Sequence, residues 1–276
     1  MAELHPRDTN TPADALAHPG PPEISRASQV YLWLTATSVM CLLIADILGV
    51  KLFQFHLPVS LPFFGTTIEH TAGMLTFPIT FLITDWLNDY YGKRAARRAV
   101  LVSFTMALLA FLVIQAARAL PYWTAPFNVT PQAFEAIFGS ASVMYLASIT
   151  AYLVNNFLDI FLFGVFKRAT GGRMIWLRAT GSTLISQLVD SLVVTFLAFY
   201  IGRKLIAGSG EPMSLHEVLK TAMTGYTLKF VLALVATPVL YLGHGLIHRV
   251  TGLRPLPSDR QQWGPRRIPG RLSRSS

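Results

Sequence analysis

The chain predicts an all-α integral membrane protein: a bundle of six transmembrane helices with both termini in the cytoplasm. Three observations predict it. Of 276 residues, 52% are hydrophobic and only 13% charged, too little charge to cover the surface of a soluble domain. The mean hydropathy is +0.46. The basic residues are sorted unequally between the two sides of the apolar runs.

A membrane-spanning helix needs about 20 mainly apolar residues. Six stretches supply them: 30–54, 68–89, 97–117, 140–165, 179–202 and 217–246. The first is too long for the apolar core of a signal peptide. The segment 57–65 between the first two holds Pro58, Pro62 and Gly65 and reads as an external turn or hairpin. The last stretch is long enough to begin as an interfacial segment. Around these runs, the expected organisation is a disordered N-terminal tail over 1–28, a six-helix transmembrane domain over 29–250, and a basic disordered tail over 251–276.

Orientation follows from Lys and Arg. Seventeen fall in the N-terminal tail, the second and fourth connections and the C-terminal tail; three, Arg118, Arg203 and Lys204, fall on the other side. That bias places both ends in the cytoplasm and requires an even number of spans. The net charge of +9 is therefore a topology signal rather than a nucleic-acid surface. The single cysteine, Cys41, lies in an apolar run and cannot form an intramolecular disulfide. His244 and His248 share a helical face without a third ligand and read as an interfacial pair. No metal or cofactor is expected. No H-E-x-x-H or G-x-S-x-G motif appears, so an enzyme is not the expected class.

Ionisable groups deep in a span cost at least ~2.5–3.5 kcal/mol and persist where they pair or line a cavity. Asp190 lies twelve residues into the fifth span and Lys229 twelve residues into the sixth, so both reach about 18 Å, near the midplane. They are a natural pair, either structural or in a ligand site. The second span carries Asp85, Asn88 and Asp89. Asp85 is the deeper carboxylate; Asp89 is expected to meet the basic loop. The fourth span adds Asn155, Asn156 and Asp159, and the fifth adds Ser182, Ser186 and Gln187.

These groups suit a guanine-like edge. A carboxylate accepts from its adjacent N–H and amine, and an Asn or Gln amide meets its carbonyl. Phe77, Trp86 and Phe157 are candidate stackers. Asp46 and Lys51 in the outer half of the first span, and Glu69 and His70 at the mouth of the second, either admit a ligand or are wet interfacial residues. The predicted substrate-binding set is Asp85, Asn156, Asp159, Gln187, Asp190, Lys229, Glu69 and Phe77.

The stretch FPITFLITDWLNDYYGKRAARR, followed in order by NNFLDIFLFGVFKR, RATGSTLISQLVDSLVVTFLAF and KFVLALVATPVLY, resembles the queuosine precursor transporter family, a group within the vitamin-uptake-transporter-like proteins. The resemblance covers roughly residues 30–250. It implies a six-helix fold similar to the substrate-binding subunits of energy-coupling-factor importers. It also implies uptake of 7-cyano-7-deazaguanine or 7-aminomethyl-7-deazaguanine across a bacterial inner membrane. Asp85, Asp159, Asp190 and Lys229 fall on the family's polar pattern. Two positions depart from it: many members carry Glu at the position of Asp89, and often Asn at that of Asp46.

The expected partners are the small-molecule base and membrane lipid, with no nucleic acid and with a homo-oligomer left open. The alternative reading is a vitamin-binding subunit of an energy-coupling-factor importer. That subunit would need a separate ATPase, since the chain has no G-x-x-x-x-G-K-[ST] phosphate loop.

Overall fold

The computed structural model describes residues 25–61, 65–123, 125–139, 142–170, 175–205 and 211–256. The predicted tails therefore lie almost wholly outside the described residues. Helix α1 spans Arg26–Leu48, three residues earlier than the expected domain boundary, because Ser25 caps it by accepting from the Ser28 N–H.

Where the apolar pattern predicts helix to residue 54, the chain instead turns at Gly49 into a β-hairpin. Strand β1 (Leu52–Leu61) pairs antiparallel with β2 (Gly65–Thr71), with Phe53 opposite His70 and Gln54 opposite Glu69. The hairpin is longer than the expected turn at 57–65. Alternation in Leu52–Phe55 and the β-branched run Thr66–Ile68 favour strand over helix there. The second span consequently starts late. A short 3₁₀ turn (Ala72–Leu75) leads into α2 (Phe77–Trp86), whose Pro78 sits in the first turn, where proline costs no hydrogen bond.

A π-helical turn (Leu87–Tyr91) extends α2, and Gly92 then reverses the chain into α3 (Gly92–Ala119). Gly92 has φ of 81°, a conformation that a side chain would strain. A short α4 (Pro131–Phe138) is followed by α5 (Ser142–Ala169) and α6 (Ile175–Thr195). A second π-helical segment (Phe196–Gly202) and one further turn (Arg203–Leu205) extend α6. The last helix, α7 (Leu215–Thr251), starts in a capping box of Ser214 and Glu217.

Among the described residues five helical stretches are long and apolar enough to cross a membrane; one of them, Phe77–Ala119, contains the Gly92 reversal. Hydrogen bonds between helices give their directions. The Tyr31 hydroxyl donates to the Ala95 carbonyl and the Ser103 hydroxyl to Ser38, so α3 runs parallel to α1. Thr76 donates to the Cys41 carbonyl and Tyr91 to the Ala27 carbonyl, so α2 runs antiparallel to α1. Ser148 donates to Asp46 while Tyr152 meets Ser38, so α5 also runs back. Trp86 and Tyr90 bond the carbonyls of Leu240 and His244, which aligns α7 with α2.

The apolar core has two parts. One joins α1, α3 and α5 through Leu42, Val100, Ile149 and Ile160. The other joins α2, α5 and α7 through Phe81, Phe163, Ala236 and Leu240. Many large apolar side chains point outward, Trp33, Leu112, Val235 and Leu242 among them, as a lipid-facing surface requires.

Candidate functional site

The polar side chains of α2, α5, α6 and α7 form three layers. The outer layer is the ion pair of Lys229 on α7 with Asp190 on α6. Equal depth in consecutive helices brings them together as the spacing predicts. The Lys229 ammonium also lies 5.1 Å from the centre of the Phe77 ring, at the start of α2, a cation–π geometry. His70, at the end of the hairpin, reaches towards the same helix: a Cβ on Gly225 would sit 3.5 Å from its Nε2. Glu69 lies beside it on β2, and its side chain is outside the described residues.

The middle layer is a hydroxyl-lined carboxylate. Asp159 on α5 accepts from Ser186 at 3.2 Å and Thr183 at 3.4 Å, with Ser182 as a further hydroxyl partner. One turn away, Gln187 donates through Nε2 to Asn155 at 3.3 Å. Its Oε1 is buried without a hydrogen-bond partner, as are Ser191 Oγ on the same face and Asn88 Nδ2 on α2. Such orphans are costly and mark where a polar ligand edge would be welcome. Asn156 is engaged on both sides: it accepts from Thr84 at 3.0 Å and donates to the Tyr152 carbonyl at 2.9 Å. It therefore fixes α5 against α2.

Beside the middle layer, on its side away from Lys229, Asp85 lines a narrow cleft with Phe81, Thr180, Thr183, Ala236 and Leu240. The cleft is apolar apart from Asp85 and its threonines. Its free space admits about one water molecule. Asp85 itself is only 3% exposed.

The third layer, at the far end of α2, departs from expectation. Asp89 does not merely meet a loop. It is fully buried and accepts from Lys167 of α5 at 2.6 Å, with His244 Nε2 at 3.9 Å. His244 also meets the Tyr90 hydroxyl at 3.0 Å, so it is built into the bundle, while His248 bonds the Leu253 carbonyl. The Leu256 N–H donates to the Asp89 carbonyl. Lys167 reads as a loop cation only if α5 stops at residue 165. With α5 continued to Ala169, Asn156, Asp159, Phe163 and Lys167 fall on one buried face. Of the other proposed stackers, Trp86 is committed to the Leu240 carbonyl and Phe157 lies under Arg97.

The structure thus gathers Asp85, Asn156, Asp159 and Gln187 around one region of the bundle, and Asp190, Lys229 and Phe77 directly outside it. It adds Asn88 and Ser191. Among the described residues no group of three His, Cys, Asp or Glu side chains could hold a metal ion.

Comparison with known proteins points in one direction. Residues 71–243 match the family described as "Putative vitamin uptake transporter". The chain is 31% identical to the "Probable queuosine precursor transporter" of Bacillus subtilis over 67% of this chain and 75% of that protein. It is 30% identical to the "Queuosine precursor transporter" of Escherichia coli over 66% of this chain and 74% of that protein. A protein of Haemophilus influenzae named like the first is 26% identical over 61% of this chain and 66% of its own length. No solved structure matches.

Proposed function

The chain belongs to this vitamin-uptake-transporter family, and from that premise we propose that it imports queuosine precursors across a bacterial inner membrane. The finer reading names 7-cyano-7-deazaguanine and 7-aminomethyl-7-deazaguanine as the substrates, carried by six spans with both termini in the cytoplasm. The names of the relatives support the substrate class and do not favour an energy-coupling-factor vitamin subunit. The alternating directions of α1, α2, α3, α5, α6 and α7 support the span count. The bias of seventeen basic residues against three supports the topology.

The observation that supports the substrate reading is the Asp85 cleft together with unpartnered buried polar atoms on the helices beside it, α2 and α6. Asp85 presents a carboxylate to the ring-edge donors of a guanine-like base, an N–H beside an exocyclic amine. Asn88 Nδ2, a donor with no partner, suits the neighbouring carbonyl. Gln187 Oε1 and Ser191 Oγ are further unfilled positions one and two turns from Thr183. Asp159, already supplied with hydroxyls, holds α5 and α6 in register behind the site. Adenine places an acceptor where guanine has a donor, so a carboxylate would face a lone pair.

Uptake of labelled 7-deazaguanines and of adenine by proteoliposomes tests the reading. A preference of about ten- to a hundredfold over adenine is expected from one mispaired buried group. Equal handling of adenine, or no uptake of either 7-deazaguanine, would sink it.

A further inference from the structure

A second pocket, distinct from the central cleft, lies at the outer end of the bundle between α1, α3, α4 and α5. It is a narrow opening with room for about one water molecule, lined by Phe111, Phe138 and Tyr145, with Gln115 and Ser142 at its polar edge. Asp46 of α1 is part of that lining. It is only 8% exposed. One carboxyl oxygen accepts from Ser148 at 2.6 Å; the other, Oδ2, is buried without a hydrogen-bond partner.

Among the described residues the surroundings hold no counter-charge for it. Helix α5 offers the hydroxyls of Tyr145 and Ser148. Helix α3 offers Gln115, and a turn further out Arg118, which is bound to Gln115 and to Glu135 of α4. The turn Ala72–Leu75 carries no ionisable group. Lys51, just past α1, is exposed, and Lys229 of α7 is held by Asp190. Asp89 and Asp190 each have a lysine; Asp46 has none among the described residues. A buried carboxylate without a cation is neutralised most cheaply by a proton.

Asp46 is also joined to the central site in two directions. Ser148 lies on α5, two turns before Asn155. Ala45, beside Asp46, presses on Gly73 so closely that a Cβ there would collide with the Ala45 carbonyl oxygen. Three residues on, Thr76 donates to the Cys41 carbonyl at 3.1 Å, and the next residue is Phe77, which faces Lys229. A change at Asp46 therefore acts on the starts of α2 and α5, the two helices that carry Asp85 and Asp159.

We propose that Asp46 is a proton-binding site, loaded from the outer side, that couples entry of the base to inward movement of a proton. The carboxylate takes a proton from external water as the base binds, and gives it up to the cytoplasmic side as the base leaves. The proposal rests on the transport reading above.

The test uses the full chain in proteoliposomes, with membrane potential clamped by potassium and valinomycin and the lumen one pH unit above the outside. The probe is labelled 7-cyano-7-deazaguanine, which is uncharged. The parent accumulates it up to about tenfold, the limit that one pH unit sets for one proton per base. Asp46→Asn, which keeps an acceptor for Ser148, exchanges labelled for unlabelled base but only equilibrates it. Asp46→Glu restores accumulation. Asp46→Asn accumulating like the parent overturns the proposal, as does a parent that exchanges base but ignores the pH gradient. Loss of exchange together with accumulation in Asp46→Asn also overturns it and assigns the residue to structure. A parent that exchanges neither 7-deazaguanine fails at the transport reading instead.

Discussion

Two buried lysine–aspartate pairs join different helices, one α2 to α5 and the other α6 to α7, and they are built differently. Asp89 and Lys167 are surrounded: His244, the Tyr90 hydroxyl and the Leu256 backbone all converge on that turn. Asp190 and Lys229 have each other and the face of Phe77, beside a cleft and below the hairpin. A buried pair contributes little net stability, but breaking one leaves a charge that the interior cannot solvate. The well-connected pair is therefore expected to latch α2 to α5. The sparsely connected pair has fewer partners to hold it in place.

The largest expected effect tests the latch. Lys167→Met leaves Asp89, whose side chain is 1% exposed, without its cation. Thermal stability in detergent should fall by roughly 3–5 kcal/mol, and Asp89→Asn should recover part of the loss in the double variant. A Lys167→Met protein as stable as the parent would falsify the idea of a latch. Lys229→Met should do less to stability, because its pair is about a tenth exposed and water can reach it, but should reduce uptake sharply. The comparison breaks if Lys229→Met proves the more destabilising of the two, or if it transports normally.

Smaller still in stability, yet clear in binding, are changes at the cleft. Asp85→Asn and Gln187→Leu should leave the fold intact. They should weaken 7-deazaguanine binding by about ten- to a hundredfold, the usual cost of one lost or mispaired polar group. Titration calorimetry beside thermal denaturation separates the two quantities. Unfolding of Asp85→Asn at ordinary temperature would move Asp85 from the binding site to the structural core.

The two pairs also differ in how legible they were in the sequence. Asp190 and Lys229 stand alone in apolar runs, and equal depth in adjacent antiparallel helices is enough to match them. Lys167 sits beside Arg168 at a helix end, so it reads as a loop cation. Only its register with Asn156, Asp159 and Phe163 shows that it turns inward. The spans were legible for the same reason as the first pair: a long apolar run has one solution in a bilayer. The hairpin was legible only at its turn, over 57–65. Its strands adjoin the first two spans and merge with them in hydropathy, so their extent shows only in the pairing of residues such as Phe53 with His70. The orphaned atoms of Asn88, Gln187 and Ser191 were equally hidden, because orphaning is a property of what surrounds a side chain.

The smallest expected effect lies at the outer surface, where a third acid–base pair supplies the contrast to both buried ones. Arg118 at the end of α3 holds Glu135 of α4 through Nη2 at 2.7 Å, in a fork with Nε. The guanidinium keeps the Glu135 carboxyl below its ordinary value of 4.5. A depressed carboxyl stabilises the folded state above that ordinary value, and the contribution is lost as the pH falls through the lower, folded one. The pair is open to water and salt, so its share is small. Glu135→Gln should therefore leave the melting temperature near that of the parent at neutral pH and flatten its decline below about pH 4.5. It should leave the uptake rate unchanged. High salt should mimic the substitution, since screening removes what the mutation removes. A large drop in melting temperature at neutral pH, matching that of Lys167→Met, would erase the distinction between pairs that the bilayer isolates and pairs that water screens.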